Sequence, residues 1–220
     1  MNIINQHLKE TDYKNENTVK NQIVIHHTVS GSNAANVISQ WGTTPEDVAT
    51  EFVISGDGTI YSAFPEGKWA QHLGLKQTYL QGLFTKYGKT LPANYNDTLN
   101  KHSIGIELCN YGLLTKGADN KYRTIYNTII ADTSVITYPT AFRGSKYFHK
   151  YTQVQINALK ELLVYLAAKC NIPTAYQADM WDVSANAIQG NKGIFTHVSY
   201  RNDKSDCHPQ PELISMLQSI

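Results

Sequence analysis

The chain has 220 residues, 41% of them hydrophobic, and a formal net charge of +1. That is enough apolar material for one sizeable core, and the near-neutral balance gives no reason to expect a polyanion partner. No basic run follows a phosphate backbone, so nucleic acid is not an expected partner, and no apolar run is long enough to span a bilayer.

The three cysteines, Cys109, Cys170 and Cys207, are widely and unevenly spaced. They form no disulfide framework and fit synthesis in a reducing compartment. Residues 1–20 carry Lys, Glu and Asp throughout without an apolar h-region, so no secretory signal is read and the chain is expected to be made in the cytoplasm. This stretch is expected to be an arm or short helix against the body. Fourteen tyrosines suit a carbohydrate or peptide surface, although most are expected at half-buried core edges.

Ile23-Val24-Ile25 reads as a strand buried on both faces, and it breaks directly into His26-His27-Thr28. Residues 32–41 have an N-cap candidate and place Val37, Ile38 and Trp41 at helical spacing. Glu51 to Ile60 reads as strand, Gly-Asp-Gly turn and strand, a hairpin. Lys68 to Gly74 is a loop containing Trp69 and His72. Residues 75–100 show no clear period and are expected to be irregular. Ser103 to Asn110 is a second buried-type strand, in which Glu107 faces away from Ile106 and Leu108 if the pleat holds. Residues 113–140 are expected to form a small hairpin, within an insertion running to about 150. Thr152 to Lys169 is the clearest helix, with Thr152 and Gln155 set for a capping box and an apolar stripe from Ile156 to Leu166. A short strand at 193–197 and a closing helix at 211–217 complete the chain. Strands separated by helices, with a hairpin included, imply an α/β fold with a single mixed β-sheet flanked by helices, in one domain over 1–220.

The chemistry lies in two clusters, His26-His27 at one strand end and Thr196-His197 with Lys204-Ser205-Asp206-Cys207-His208 at another. A catalytic zinc takes three protein ligands and leaves a fourth position for water. His26 and His197 stand at the ends of two strands that one sheet can bring together. The third ligand must come from the following loop, where Asp206, Cys207 and His208 are all candidates. A zinc-activated water needs a base, for which Glu107 is the best-placed carboxylate. A developing oxyanion needs a fixed positive charge, and Lys204 is at hand.

These residues resemble the zinc-dependent N-acetylmuramoyl-L-alanine amidases of the type 2 class, which include phage endolysins, wall-recycling amidases and peptidoglycan recognition proteins. The resemblance runs from about 23 to about 211. It is carried by Val24-Ile25-His26-His27-Thr28, Phe52 to Ile60, His72-Leu73-Gly74, Ser103 to Glu107, the helix from Thr152, and Thr196-His197 with Lys204-Ser205-Asp206. It implies Zn²⁺ as cofactor, with His26, His197 and Asp206 as its ligands and Cys207 the alternative third ligand. It further implies Glu107 as the carboxylate that polarises water, Lys204 as the group facing the tetrahedral intermediate, and His72, with Trp69 and His27, at the substrate. The implied reaction cleaves the amide between N-acetylmuramic acid and L-alanine of peptidoglycan.

Two departures stand out. Thr50-Glu51 occupies the place where some relatives have Tyr-His, making Glu51 a second carboxylate of interest. Cys207-His208-Pro209 replaces the usual Pro-Gly after the third ligand. The expected protein is a monomer acting on the cell wall, released at lysis if it is a phage endolysin or retained in the cytoplasm if it is a recycling enzyme. A peptidoglycan-binding module without catalysis and a zinc peptidase acting on the stem peptide are the alternatives.

Overall fold

The computed structural model describes residues 1–220. A short strand β1 (Ile3–Asn5) is followed by β2 (Gln22–His27), helix α1 (Ala34–Trp41), β3 (Phe52–Ile54) and β4 (Ile60–Ser62). Next come α2 (Gln77–Lys86), α3 (Tyr95–Lys101) and β5 (Ser103–Leu108). Strands β6 (Leu113–Lys116), β7 (Tyr122–Arg123), β8 (Ile129–Ile130), β9 (Val135–Phe142) and β10 (Ser145–His149) precede the long helix α4 (Gln153–Cys170). The chain closes with α5 (Ala185–Ile188), β11 (Gly193–Thr196) and α6 (Pro211–Leu217).

Six strands make one mixed sheet in the order β1-β4-β3-β5-β2-β11. Strands β3, β5, β2 and β11 run parallel, and β4 turns back antiparallel to β3. Every residue of β2 is buried, as its β-branched run requires for a strand covered on both faces. Ile23 and Ile25 join Ile104, Ile106 and Leu108 in the largest core cluster, beneath α4. Val24 faces the other way, packing in a cluster with Leu73, Phe195 and Tyr200. The sheet thus carries helices on both faces, as the sequence implies.

The α4 start is fixed by a complete capping box. Thr152 Oγ1 accepts from the Gln155 amide at 3.1 Å, and Gln155 Oε1 accepts from the Thr152 amide at 3.2 Å. The buried Gln155 also donates through Nε2 to the carbonyls of Ile54 and Cys109, at 3.2 and 3.0 Å. The helix N-terminus is therefore tied to the points where β3 and β5 leave the sheet.

Three stretches differ from expectation. Residues 75–100 are not irregular: they hold α2 and α3, whose Leu80, Phe84 and Leu99 are buried against the sheet. Tertiary burial overrides a composition without helical period. Residues 113–149 form more than a small hairpin, making a five-stranded antiparallel sheet in the order β8-β7-β6-β10-β9. The N-terminal stretch supplies an edge strand, with β1 pairing parallel to β4 from Ile3↔Ile60 to Asn5↔Ser62.

Glu51, just before β3, is 3% exposed, and its Oε2 lacks a hydrogen-bond partner. Burial raises its carboxyl pKa to about 8, opposed by the nearby Lys20 ammonium. The stability contribution of an acid raised in this way is present below its ordinary value of 4.5 and is lost as pH rises through about 8. Glu51→Gln is accordingly expected to flatten the decline in melting temperature between those limits. An unchanged pH profile in thermal melts would show that the carboxyl carries no such burden.

Candidate metal centre

The parallel register sets the site. His26 is paired with Glu107 across β2 and β5, so both side chains leave the same sheet face at adjacent strands. On the other side of β2, Thr196 pairs with Ile25, and the chain passes into a 3-10 turn that begins at His197. The His26 and His197 ring centroids are 4.5 Å apart, with the rings edge to face. Their Nδ1 atoms lie 3.1 Å apart, and both rings are buried.

The third donor comes from the loop after the turn. Asp206 Oδ2 is 2.8 Å from His197 Nδ1 and 3.3 Å from His26 Nδ1. Burial acts to raise the Asp206 pKa, but His197 and His26 outweigh it and hold the carboxyl well below its ordinary range. Burial, reinforced by His197, pulls His26 down to about 4, so its ring is neutral at pH 7. The loop is fastened at several points. The Val198 amide donates to the Asp206 carbonyl at 3.0 Å, Arg201 Nη1 to the Gly74 carbonyl at 2.9 Å, and Arg143 Nη1 to the Asn202 carbonyl at 3.0 Å. Arg143 lies in the β9–β10 turn, so the small sheet buttresses the loop. His208 adds a second tie, with Nδ1 2.8 Å from Tyr138 Oη and Nε2 3.0 Å from the His149 carbonyl. The residue that stands in the unusual Cys-His-Pro stretch is thereby a structural rivet between the loop, β9 and β10.

The donor set fits a zinc ion. His26 Nδ1, His197 Nδ1 and an Asp206 oxygen all lie within 4.8 Å of one another. Their separations of 2.8, 3.1 and 3.3 Å are near the about 3.3 Å that tetrahedral coordination demands at ligand distances of about 2.0–2.1 Å. His197 Nε2 lies 3.1 Å from the Leu73 carbonyl, which can only accept, so this nitrogen carries a hydrogen and Nδ1 is the atom that a metal would take. Cys207 is not one of these donors. It is fully buried in the large core cluster beneath α4, and burial pushes its thiol well up.

Beside the cluster stands Glu107, whose Oε2 is buried without a hydrogen-bond partner. Burial raises its carboxyl pKa well above 4.5, the Asp206 charge adds to that, and Lys204 opposes it. Lys204 is partly buried, and its charge acts on His26 as well as on Glu107.

Of the three residues expected at the substrate, one is drawn to the cluster and two are not. His72 Nδ1 is 3.0 Å from His26 Nε2. His27 leaves the opposite sheet face, 3% exposed, with Nδ1 2.9 Å from Tyr151 Oη. Gly112 seals it in, since a Cβ there would come within 2.2 Å of the His27 ring. Trp69 is held against the N-terminal stretch, bridged to Lys14 and 3.4 Å from Glu16 Oε2 through Nε1. The supporting residues Arg143 and Tyr138 had no motif to announce them. Only the shape of the fold brings them near.

A mixed sheet whose parallel strand ends gather two imidazoles and two carboxylates defines an α/β protein with a hydrolase-type centre. The chain matches the family described as N-acetylmuramoyl-L-alanine amidase over residues 15–211. It belongs to that family, and its activity is that of a peptidoglycan amidase. Similar solved structures include PlyL, which is 14% identical over 99% of this chain and 98% of its own, with a TM-score of 0.55. A mutant endolysin from Bacillus subtilis is 16% identical, covering 100% of this chain and 97% of its own, with a TM-score of 0.54. The catalytic domain of XlyA is likewise 16% identical, covering 100% and 98% with a TM-score of 0.54. At such identities these likenesses establish the fold. No curated protein matches the chain.

Proposed function

We propose that the protein is a zinc-dependent amidase that cleaves the bond between the lactyl carbonyl of N-acetylmuramic acid and the amine of L-alanine, with His26, His197 and Asp206 holding the metal. The observation that carries this reading is the convergence of those three donors within 4.8 Å in a chain of the amidase family. When bound, zinc supplies a Lewis acid that lowers the pKa of water from about 15.7 towards 7. Glu107, next to His26 across the strand pair, takes the proton from the attacking water and returns it to the departing alanine nitrogen. Its unpartnered Oε2 leaves an acceptor free for that proton. Lys204 faces the negative charge that develops on the lactyl oxygen. The same proposal has a monomeric single-domain chain act on the wall after release at lysis.

Mass analysis of digested peptidoglycan tests this directly. Stem peptides with a free L-alanine amino terminus are expected, with activity lost on chelation and recovered on adding Zn²⁺. Cleavage inside the stem peptide would favour a peptidase, and undiminished hydrolysis after exhaustive metal removal would overturn the zinc assignment.

A further inference from the structure

The structure assigns His72 a role other than substrate contact: we infer that it is the positioning residue that fixes which nitrogen of His26 faces the metal. The inference rests on the zinc reading above.

The hydrogen-bond chain can be followed from its far end, where only one assignment is possible. The Leu99 carbonyl, in the last turn of α3, can only accept, and Ser103 Oγ lies 2.7 Å from it. The single hydroxyl hydrogen is spent there, so Ser103 Oγ accepts from its next neighbour, His72 Nε2, at 2.8 Å. His72 therefore carries its hydrogen on Nε2 and offers a lone pair at Nδ1. His26 Nε2, 3.0 Å away, must donate to that lone pair. The neutral His26 ring then has its hydrogen on Nε2 and its free electron pair on Nδ1, the atom that faces His197 and Asp206. Both His72 nitrogens are consumed within the protein, and neither is free for a substrate.

The same short loop serves the second imidazole, because the Leu73 carbonyl accepts from His197 Nε2 at 3.1 Å. Consecutive residues thus orient both metal-binding rings. The loop is held in turn by α3: the fully buried Asn100 accepts through Oδ1 from the His72 amide at 2.8 Å and the Leu73 amide at 3.0 Å. Room for the His72 ring comes from Gly105. A Cβ there would meet Thr50 at 2.7 Å and His72 Cγ at 3.2 Å. Outer hydrogen-bond partners of this kind raise ligand basicity and lock the ring, and losing one commonly costs about 10–100-fold in metal affinity.

The test is zinc affinity, measured on the full chain by competition with a chromophoric chelator. His72→Leu is expected to bind zinc about 10–100-fold more weakly than wild type. His72→Asn places an amide oxygen near the former Nδ1 and is expected to recover most of that loss. A leucine variant with wild-type affinity, or an asparagine variant no better than leucine, would overturn the role. Long-range ¹H–¹⁵N correlation spectra of the zinc-free wild-type chain give a readout independent of any variant's folding. His72 is expected to carry its hydrogen on Nε2 and to present a bare Nδ1 to the hydrogen on His26 Nε2, and a hydrogen on His72 Nδ1 would refute the inference. Failure of the wild-type chain to take up zinc would instead refute the zinc reading, leaving the tautomer result to decide the hydrogen-bond chain separately.

Discussion

Glu107→Ala is expected to keep its zinc while turnover falls by about 10²–10⁴, the usual contribution of a positioned general base. Glu107 is not among the three clustered donors, so metal content should not follow the mutation. It stands one strand away from His26, on the same face. Its buried Oε2 has no partner in the fold, a poor arrangement for stability that function would explain. The alanine variant should therefore melt no lower than wild type while losing its catalysis. Turnover within a few-fold of wild type on purified peptidoglycan would remove Glu107 from the mechanism. A large drop in melting temperature would recast it as structural.

The second large effect separates two adjacent residues. Asp206→Ala is expected to empty the zinc site and abolish hydrolysis, because its Oδ2 touches both imidazoles at 2.8 and 3.3 Å. Cys207→Ala is expected to retain zinc and activity. Its thiol lies in the core beneath α4, so the variant should lose only about 1 kcal/mol of stability through a small cavity. Metal content by atomic absorption and melting temperature, taken together, distinguish the two. Zinc loss in the cysteine variant with retention in the aspartate variant would exchange their roles.

The main sheet and the meeting of His26 with His197 were legible because their signals are local. The β-branched run before His26 can only be a strand buried on both sides, and Thr152 with Gln155 marks a helix start by its own hydrogen bonds. His26 and His197 stand where such elements end, so their convergence needs only the sheet to form. The preference for Asp206 over Cys207 came from the family resemblance and not from any local signal. Both lie in one loop, and which side chain turns inward depends on Tyr138, His149 and Arg143, residues far away in sequence.

The segment from 75 to 101 was illegible for another reason. Helix α2 carries a glycine and polar residues around a thin apolar stripe, and Asn94, the residue before α3, has φ of 53° and makes no side-chain cap. Such helices persist because Leu80, Phe84 and Leu99 are buried by the rest of the protein, and a sequence window does not contain that partner. The same holds for β7 and β8, each two residues long. His72 was expected at the substrate from the resemblance alone, and its place beside His26 depends on Ser103 and Asn100, which only the folded chain brings to it.

Strand β2 has a kinetic consequence. Ile25 is flanked by Ile106 on one side and Thr196 on the other, so the central ladder joins segments that lie far apart in sequence. Parallel ladders of such high contact order form slowly, since long loops must close before any pairing is rewarded. The donor trio stays incomplete until Asp206 has left the ribosome and the edge strand β11 has docked. On the proposed assignment of the donors, a nascent chain released short of Asp206 is expected to be inert.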